Sequence, residues 1–447
     1  MGKNSFKLEV MGQTKTLDVI VNDIRFFAIL ERPDDYSGEF GFDWMRSDYK
    51  NSCADYDKLK NEYTPTEIEG EEYFVPWLSM FPNQEGVKLK LVLIEPENHT
   101  NIGTPTEDDI IKFKAKSGIR FEPEQMTLQD TKDNDVITVF CDQPLTNDVS
   151  IDILNRDDEI VGKLNVYKNA HHKKLHFNIT PVRVLRKGIA ANDAKTIEDT
   201  IDGVNGFGNK NSNIEGDLQN LETYLNKRSL NQALLQCTIG KVYDIVIDEN
   251  KWIADDLILD EGCIFKGDAV LDKLFEEFQK QHPNKANKKD MVVFLNPLKK
   301  EDAGGEGNLR DVDARQLAIY LSNLNSLTTF AHEIAHFAGL EHSFKGSDDV
   351  PETDIHAMNE YIIAVDNQMN SMLANNDPKN EISELWRYYQ EDYAKYRGYL
   401  NSHYRNPYKF DKKSTENLMD YSDDRISFWK FQWKVLQEEV LKFYANP

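Results

Sequence analysis

His332-Glu333-Ile334-Ala335-His336-Phe337-Ala338-Gly339-Leu340-Glu341-His342 is the stretch on which the reading of this chain turns. Just upstream, Asn325 or Ser326 is placed to cap a helix. Leu327, Ala331, Ile334 and Ala338 then recur at the spacing of one buried helical face. His332 and His336 are four residues apart, so they project from the same side of that helix. Two imidazoles so placed can bind one Zn²⁺ at about 2.0–2.1 Å each. Glu333 follows the first of them, and from there its carboxylate can reach a water on the metal. Gly339 can take a positive φ and end the helix in a sharp turn, which brings His342 back as a third nitrogen. Three protein ligands leave one position open for water, the mark of a catalytic rather than a structural zinc site. The metal lowers the pKa of that water to about 7. Glu333 then acts as general base and returns the proton to a leaving amine. The chain has 10 histidines. At that composition the full eleven-residue pattern arises by chance in on the order of one such chain in 10⁵.

Farther along, Asn417-Leu418-Met419-Asp420-Tyr421 sets a methionine two residues before a tyrosine. Taken alone this is a weak signal, because Met and Tyr are usually packing residues. Downstream of a complete zinc pattern, it resembles the metzincin metallopeptidases. The resemblance covers roughly 172–447 and is strongest at 327–342. It implies a Met-turn beneath the metal, with Met419 as its methionine. It also implies that Tyr421 serves as a weak extra ligand or as a donor to the oxyanion. The family ends in a helix, and Ile426, Trp429, Trp433, Leu436 and Val440 supply a helical apolar stripe for one. Leu317–Leu321 falls where metzincins place an edge strand that pairs with extended substrate, with Gly304-Gly305 in its upper rim. The implied activity is zinc-dependent endopeptidase, with His332, His336 and His342 as ligands, Glu333 as base and one catalytic Zn²⁺ as cofactor.

Two departures from the family stand out. The gap between His342 and Met419 is longer than in compact metzincins, and it carries helix-like patterns at 356–374 and 381–400, a helical insert over about 350–405. No Cys-containing latency segment is recognisable upstream. A rival reading uses Glu360, because Asn359-Glu360 resembles the second-helix glutamate that gluzincins use as third ligand. Gly339 and His342 fall where the metzincin turn requires them, and this ranks Glu360 lower. Two other function classes stand beside the peptidase: a non-catalytic binding protein on a retained zinc fold, and a metal-dependent amidase or deacetylase acting on cell-wall substrates. An intact Glu333 argues against the first.

Periodicity sets the wider organisation. Val87–Ile94, Val136–Phe140, Val149–Leu154 and Ile160–Val166 read as short strands separated by turn-rich pieces. The fold class expected is multidomain: N-terminal all-β, sandwich-like modules followed by an α+β, metzincin-like catalytic domain with a mixed sheet, an active-site helix and a C-terminal helix. The expected divisions are a β-rich module at 1–110, a small sandwich-like module at 111–171 and the catalytic domain at 172–447. Within the last, Leu175–Leu185, Val242–Ile247, Met291–Leu295 and Leu317–Leu321 read as strands. Residues 214–236 and Ala269–Gln281 read as helices.

Bulk properties restrict partners. The chain has 447 residues, 77 acidic and 53 basic, and a formal net charge of −24. Such a body repels phosphate backbones and anionic lipid, so nucleic acid and membranes are not expected partners; protein or peptide substrate is. The N-terminal β modules are expected to target or dock the enzyme to a protein partner or an export apparatus. Cys53, Cys141, Cys237 and Cys263 form no CxxC motif and read as buried or half-buried thiols. There is no apolar signal region near Met1 and no apolar run of about 18 residues. The expected location is therefore cytoplasmic, or outside by a signal-independent route, and the Lys- and Asn-rich character points to a bacterial product. Asp311, Asp313 and Asp348-Asp349 could bind calcium, but acidic clusters on so acidic a chain are read as solvated faces.

Overall fold

Val87–Ile94 alternates side chains across a pleat, and in the computed structural model Val87, Leu89 and Leu91 are buried while Lys88 is exposed. The structure describes residues 2–10, 13–21, 24–68, 71–95, 104–187, 214–259, 269–285, 289–300, 303–307, 316–344, 352–374 and 404–445. The chain divides into two units. One comprises Met1–Lys50 and Asp57–His172, the other Asn51–Tyr56 and Lys173–Pro447.

The first unit is built from two sheets and smaller hairpins. A four-stranded antiparallel sheet has the order Ile119–Glu122, Val136–Cys141, Val87–Ile94, Phe27–Glu31. A six-stranded sheet has the order Gln125–Thr127, Ile110–Phe113, Val149–Leu154, Ile160–Val166, Trp77–Ser79, Gly41–Asp43. Phe113 of one sheet stacks on Phe121 of the other at 5.4 Å between ring centres. Both sheets take strands from either side of residue 110, so the expected boundary there is replaced by one β unit. The reason is pairing: Trp77–Ser79 finds its parallel partner in Ile160–Val166, and Val87–Ile94 finds its antiparallel partner in Val136–Cys141. The change of pattern read near 172 coincides with the end of this unit.

The second unit is a mixed sheet with helices. Its central strand, His176–Lys187, pairs in parallel with Gln236–Ile239, with Tyr243–Asp248 and with Met291–Asn296. Met291–Asn296 continues in parallel to Gln316–Tyr320, and Gly305–Gly307 closes that side as an antiparallel edge strand. Every residue of Met291–Asn296 and of Gln316–Tyr320 is buried, as expected for strands covered on both faces. Gln316–Tyr320 is therefore an inner strand, and the edge expected at Leu317–Leu321 lies one strand farther out. Ala269–Gln281 covers one face through Val270, Leu271, Leu274 and Phe278, which share a core with Val292, Phe294, Ala318 and Tyr320. The helix Leu327–Phe337 packs against the edge strand and its neighbour.

The helix expected over 214–236 ends at Arg228. Ser229 leaves helical geometry, and Leu230 and Leu234 stay buried through a short 3-10 turn instead. Glu352–Ala374 is helical. The helix expected at 381–400 lies outside the described residues, as do Cys263, Asp311, Asp313, Asp348 and Asp349. A short strap from far upstream belongs to this unit: Cys53 bridges Phe410, Ala54 N–H donates to the Lys409 carbonyl at 3.0 Å, and Asp411 N–H donates to that of Ser52 at 2.9 Å. Among the described residues no helix is long and apolar enough to cross a membrane.

Candidate metal centre

The helix Leu327–Phe337 begins at Ser326, whose hydroxyl accepts from Thr329 N–H at 3.2 Å. It is buried from Thr329 to Phe337. Its C-terminus is closed by Gly339 at φ +90. Gly339 N–H donates to His336 O at 2.9 Å and Leu340 N–H to Ala335 O at 3.0 Å. This paired closure requires a left-handed residue, which explains the glycine. The chain is thereby turned so that His342 faces the two helical histidines. Nε2 of His336 lies 3.0 Å from Nε2 of His332 and 3.1 Å from Nε2 of His342.

The ring orientations are fixed from behind. His332 Nδ1 is 2.7 Å from the Leu418 carbonyl, and His336 Nδ1 is 2.7 Å from the Leu340 carbonyl. A carbonyl only accepts, so each Nδ1 carries the hydrogen and each Nε2 presents a lone pair. Two lone-pair nitrogens 3.0 Å apart repel unless a cation lies between them. Two nitrogens each about 2.0–2.1 Å from one tetrahedral ion stand about 3.3 Å apart, close to what is seen. The three residues thus fit one metal ion, and they are the group of metal-ligating side chains that the described residues bring together. Burial holds the His332 and His336 pKa values down, that of His336 to about 4. Burial and the two neighbouring rings lower that of His342 as well. The imidazoles therefore stay neutral and available at pH values where free histidine is charged.

The segment Asn417–Tyr421 supports the same centre. Leu418 supplies the carbonyl behind His332, and Met419 is fully buried, its carbonyl accepting from Ser343 N–H at 3.1 Å. Asn417 Oδ1 accepts from Met419 N–H at 2.9 Å, and Asn417 exchanges two amide hydrogen bonds with Gln432 of the C-terminal helix Lys430–Glu439. The buried carboxylate of Asp420 accepts from Lys413 N–H, Thr415 N–H, the Thr415 hydroxyl and Tyr421 N–H. Tyr421, 40% exposed, places its hydroxyl 3.0 Å from His342 Nε2.

Glu333 is buried against the edge strand. A Cβ on Gly305 would stand 2.4 Å from Glu333 Cγ, so only glycine leaves room for this carboxyl. Burial, and then the charge of Glu306, push the Glu333 pKa up to about 8. Glu306 itself is held by Lys300 Nζ at 2.6 Å and the Tyr320 hydroxyl at 2.5 Å.

The structure does not bring Glu360 to the histidines. It lies on an exposed helix face, 3.5 Å from His356. Several supporting residues escaped the sequence reading. Lys409 is buried and donates to Glu341 Oε2 at 3.0 Å and to the His342 carbonyl at 2.8 Å, fixing the loop after Gly339. Asn406 donates to the Gly339 carbonyl and accepts from Glu341 N–H. Neither has a local signal. Asp420 and Gly305 did have one, in the turn sequence and the Gly304-Gly305 pair. No family model matches the chain, and no curated protein matches it.

Proposed function

We propose that this protein is a zinc-dependent endopeptidase of metzincin type. The observation that carries the reading is the convergence of three imidazole Nε2 atoms with a buried carboxyl, Glu333, on the same helix. Three nitrogen donors, with no fourth carboxylate or thiolate in the group among the described residues, suit Zn²⁺ with an open position. His332, His336 and His342 would hold the Zn²⁺, which when bound would supply an activated water and a Lewis acid for the scissile carbonyl. Glu333 takes the proton of the attacking water at its carboxylate and delivers it to the leaving amine nitrogen. The Tyr421 hydroxyl, 3.0 Å from His342 Nε2, is within reach of the oxyanion and donates a hydrogen bond to it. Gly305–Gly307, the antiparallel edge strand of this sheet among the described residues and next to Glu333, offers main-chain groups to an extended peptide. This edge favours a peptide over a sugar or cell-wall amide. Met419 is the buried methionine of the turn that fixes His332.

The test is metal analysis combined with peptide-library cleavage, with a chelated control. The expected result is about one zinc per chain, as the three-ligand set requires, and chelator-sensitive cleavage. Glu333→Ala should keep the zinc and lose cleavage, whereas His342→Ala should lose both. Cleavage that survives Glu333→Ala would remove Glu333 as base. Zinc-free protein that still cleaves peptides would remove the whole reading.

A further inference from the structure

The third candidate ligand sits in a small cluster of rings. Phe344 stacks on the His342 imidazole at 4.8 Å and 20°, and Tyr421 meets that imidazole edge-on at 4.9 Å. Phe344 and Tyr421 also lie 4.9 Å from each other. One ammonium covers both: Lys412 Nζ is 4.7 Å from the ring centre of Tyr421 and 5.2 Å from that of Phe344, within the range of cation–π attraction. Tyr421 therefore spans the distance between cation and centre, with its ring against the ammonium and its hydroxyl 3.0 Å from His342 Nε2. Phe344 is buried, whereas Tyr421 and Lys412 are exposed, so a solute can reach the pair. The backbone fixes Lys412 in this place. It lies in a turn closed by Ser414 N–H donating to the Asp411 carbonyl at 3.1 Å. Lys413 takes φ +66 there, an uncommon conformation for a residue with a side chain. The Lys413 N–H is held by the Asp420 carboxylate at 2.8 Å.

Among the described residues no carboxylate pairs with Lys412. The chain has a net charge of −24, and lysines elsewhere on it find one, as Lys90 does in Asp34, Lys112 in Asp158 and Lys132 in Glu107. An ammonium has three donors, and ring faces attract it without accepting them all. We propose that Lys412 is a specificity-determining residue that receives a carboxylate of the peptide beside the scissile bond. The proposal rests on the peptidase reading above: a carbonyl that meets the Tyr421 hydroxyl brings the adjoining residues of its peptide past the ammonium. The carboxylate comes from an aspartate or glutamate side chain within the peptide, or from a free C-terminus close to the cut.

The test uses full-length zinc-loaded protein and matched peptides. One set carries Asp, Glu, Asn, Gln or Lys at each position flanking the cut. A second set ends shortly after the cut as free acid or as amide. Wild type should favour the carboxylate at one position by about fivefold in kcat/KM, mainly through KM, as an exposed ion pair allows. That ratio should fall toward 1 as salt is raised from about 0.05 to about 0.5 M. A preference confined to the first set identifies a side chain, and one confined to the second identifies a terminus. Lys412→Gln should bring the ratio to about 1. Lys412→Glu should reverse it in favour of the Lys peptide, and Lys412→Arg, which keeps the charge over the two rings, should preserve it. Zinc content and Tm are measured for each variant. Cleavage by wild type with no carboxylate preference, or with one that salt does not weaken, overturns the proposal and leaves the peptidase reading standing, even if no variant folds. An equal loss on acidic and neutral peptides in Lys412→Gln, with the ratio unchanged, also overturns it, because Lys412 would then serve only to hold Tyr421. Failure of wild type to cleave any peptide overturns both readings.

Discussion

Gly305 is as demanding a position as any histidine in the candidate site, although it carries no functional group. Its missing side chain is the space that the Glu333 carboxyl occupies. Gly305→Ala is expected to keep zinc and lower kcat by about 10²-fold, since displacing a base by an ångström costs that much. Measured kcat and metal content check this together. Glu333 also sets a pH signature for the metal-free protein. Its folded pKa of about 8 lies above the unfolded value. The folded state therefore binds the extra proton, and stability falls as pH rises from about 4.5 to about 8. Glu333→Gln is neutral and similar in shape. It should raise the Tm of metal-free protein clearly above wild type at pH 8.5 and hardly at all at pH 4.5, which calorimetry with chelator can measure. At this scale the sequence is most readable where contacts are local. His332, Glu333, His336 and His342 are legible because a helix repeat and one glycine turn determine their grouping. Lys409 is not, since its neighbours lie far along the chain, 67 residues away for the His342 carbonyl.

Among the elements, the turn Asn417–Tyr421 is held more firmly than its length suggests, through the four hydrogen bonds at the Asp420 carboxylate and the paired amides of Asn417 and Gln432. Asp420→Ala leaves buried donors unpaired and should cost about 2–4 kcal/mol of stability. Because Leu418 O orients His332, the same change should weaken zinc binding about 10–100-fold. Competition with a chromogenic chelator measures the second effect and denaturant unfolding the first. Elements differ in legibility for equally physical reasons. Ala269–Gln281 shows its bounds in the sequence because its apolar stripe is regular from end to end. The stripe of 214–228 continues past the helix because Leu230 and Leu234 are buried by a 3-10 turn, which apolar spacing cannot tell from a further helical turn. The edge strand Gly305-Glu306-Gly307 has no alternation at all. It exists because Gln316–Tyr320 offers it hydrogen bonds, and no local pattern reports that.

For the molecule as a whole, the first unit runs to His172, and both of its larger sheets take strands from either side of residue 110. Sheets recruit strands by pairing rather than by order, so a string of short strands shows that β-sheets exist without showing how many units they make. Nor did anything in the sequence announce that Asn51–Tyr56 belongs with the second unit. That strap lies on 409–411, and Lys409 and Phe410 in turn hold His342 and Ser343: Lys409 Nζ donates to the His342 carbonyl and Phe410 N–H to the Ser343 carbonyl. Ala54→Pro deletes the N–H that reaches Lys409 O. It is expected to cost about 1–3 kcal/mol, to lower zinc affinity and to leave unfolding of the β unit unchanged, as separate calorimetric transitions would show. The strap also gives the molecule a timetable. Residues 51–56 leave the ribosome long before their partners 409–411, so the loop that carries the third histidine gains its backing only after the intervening chain has been made. Until then the candidate metal centre lacks the support behind its third histidine, and translation itself serves as the delay.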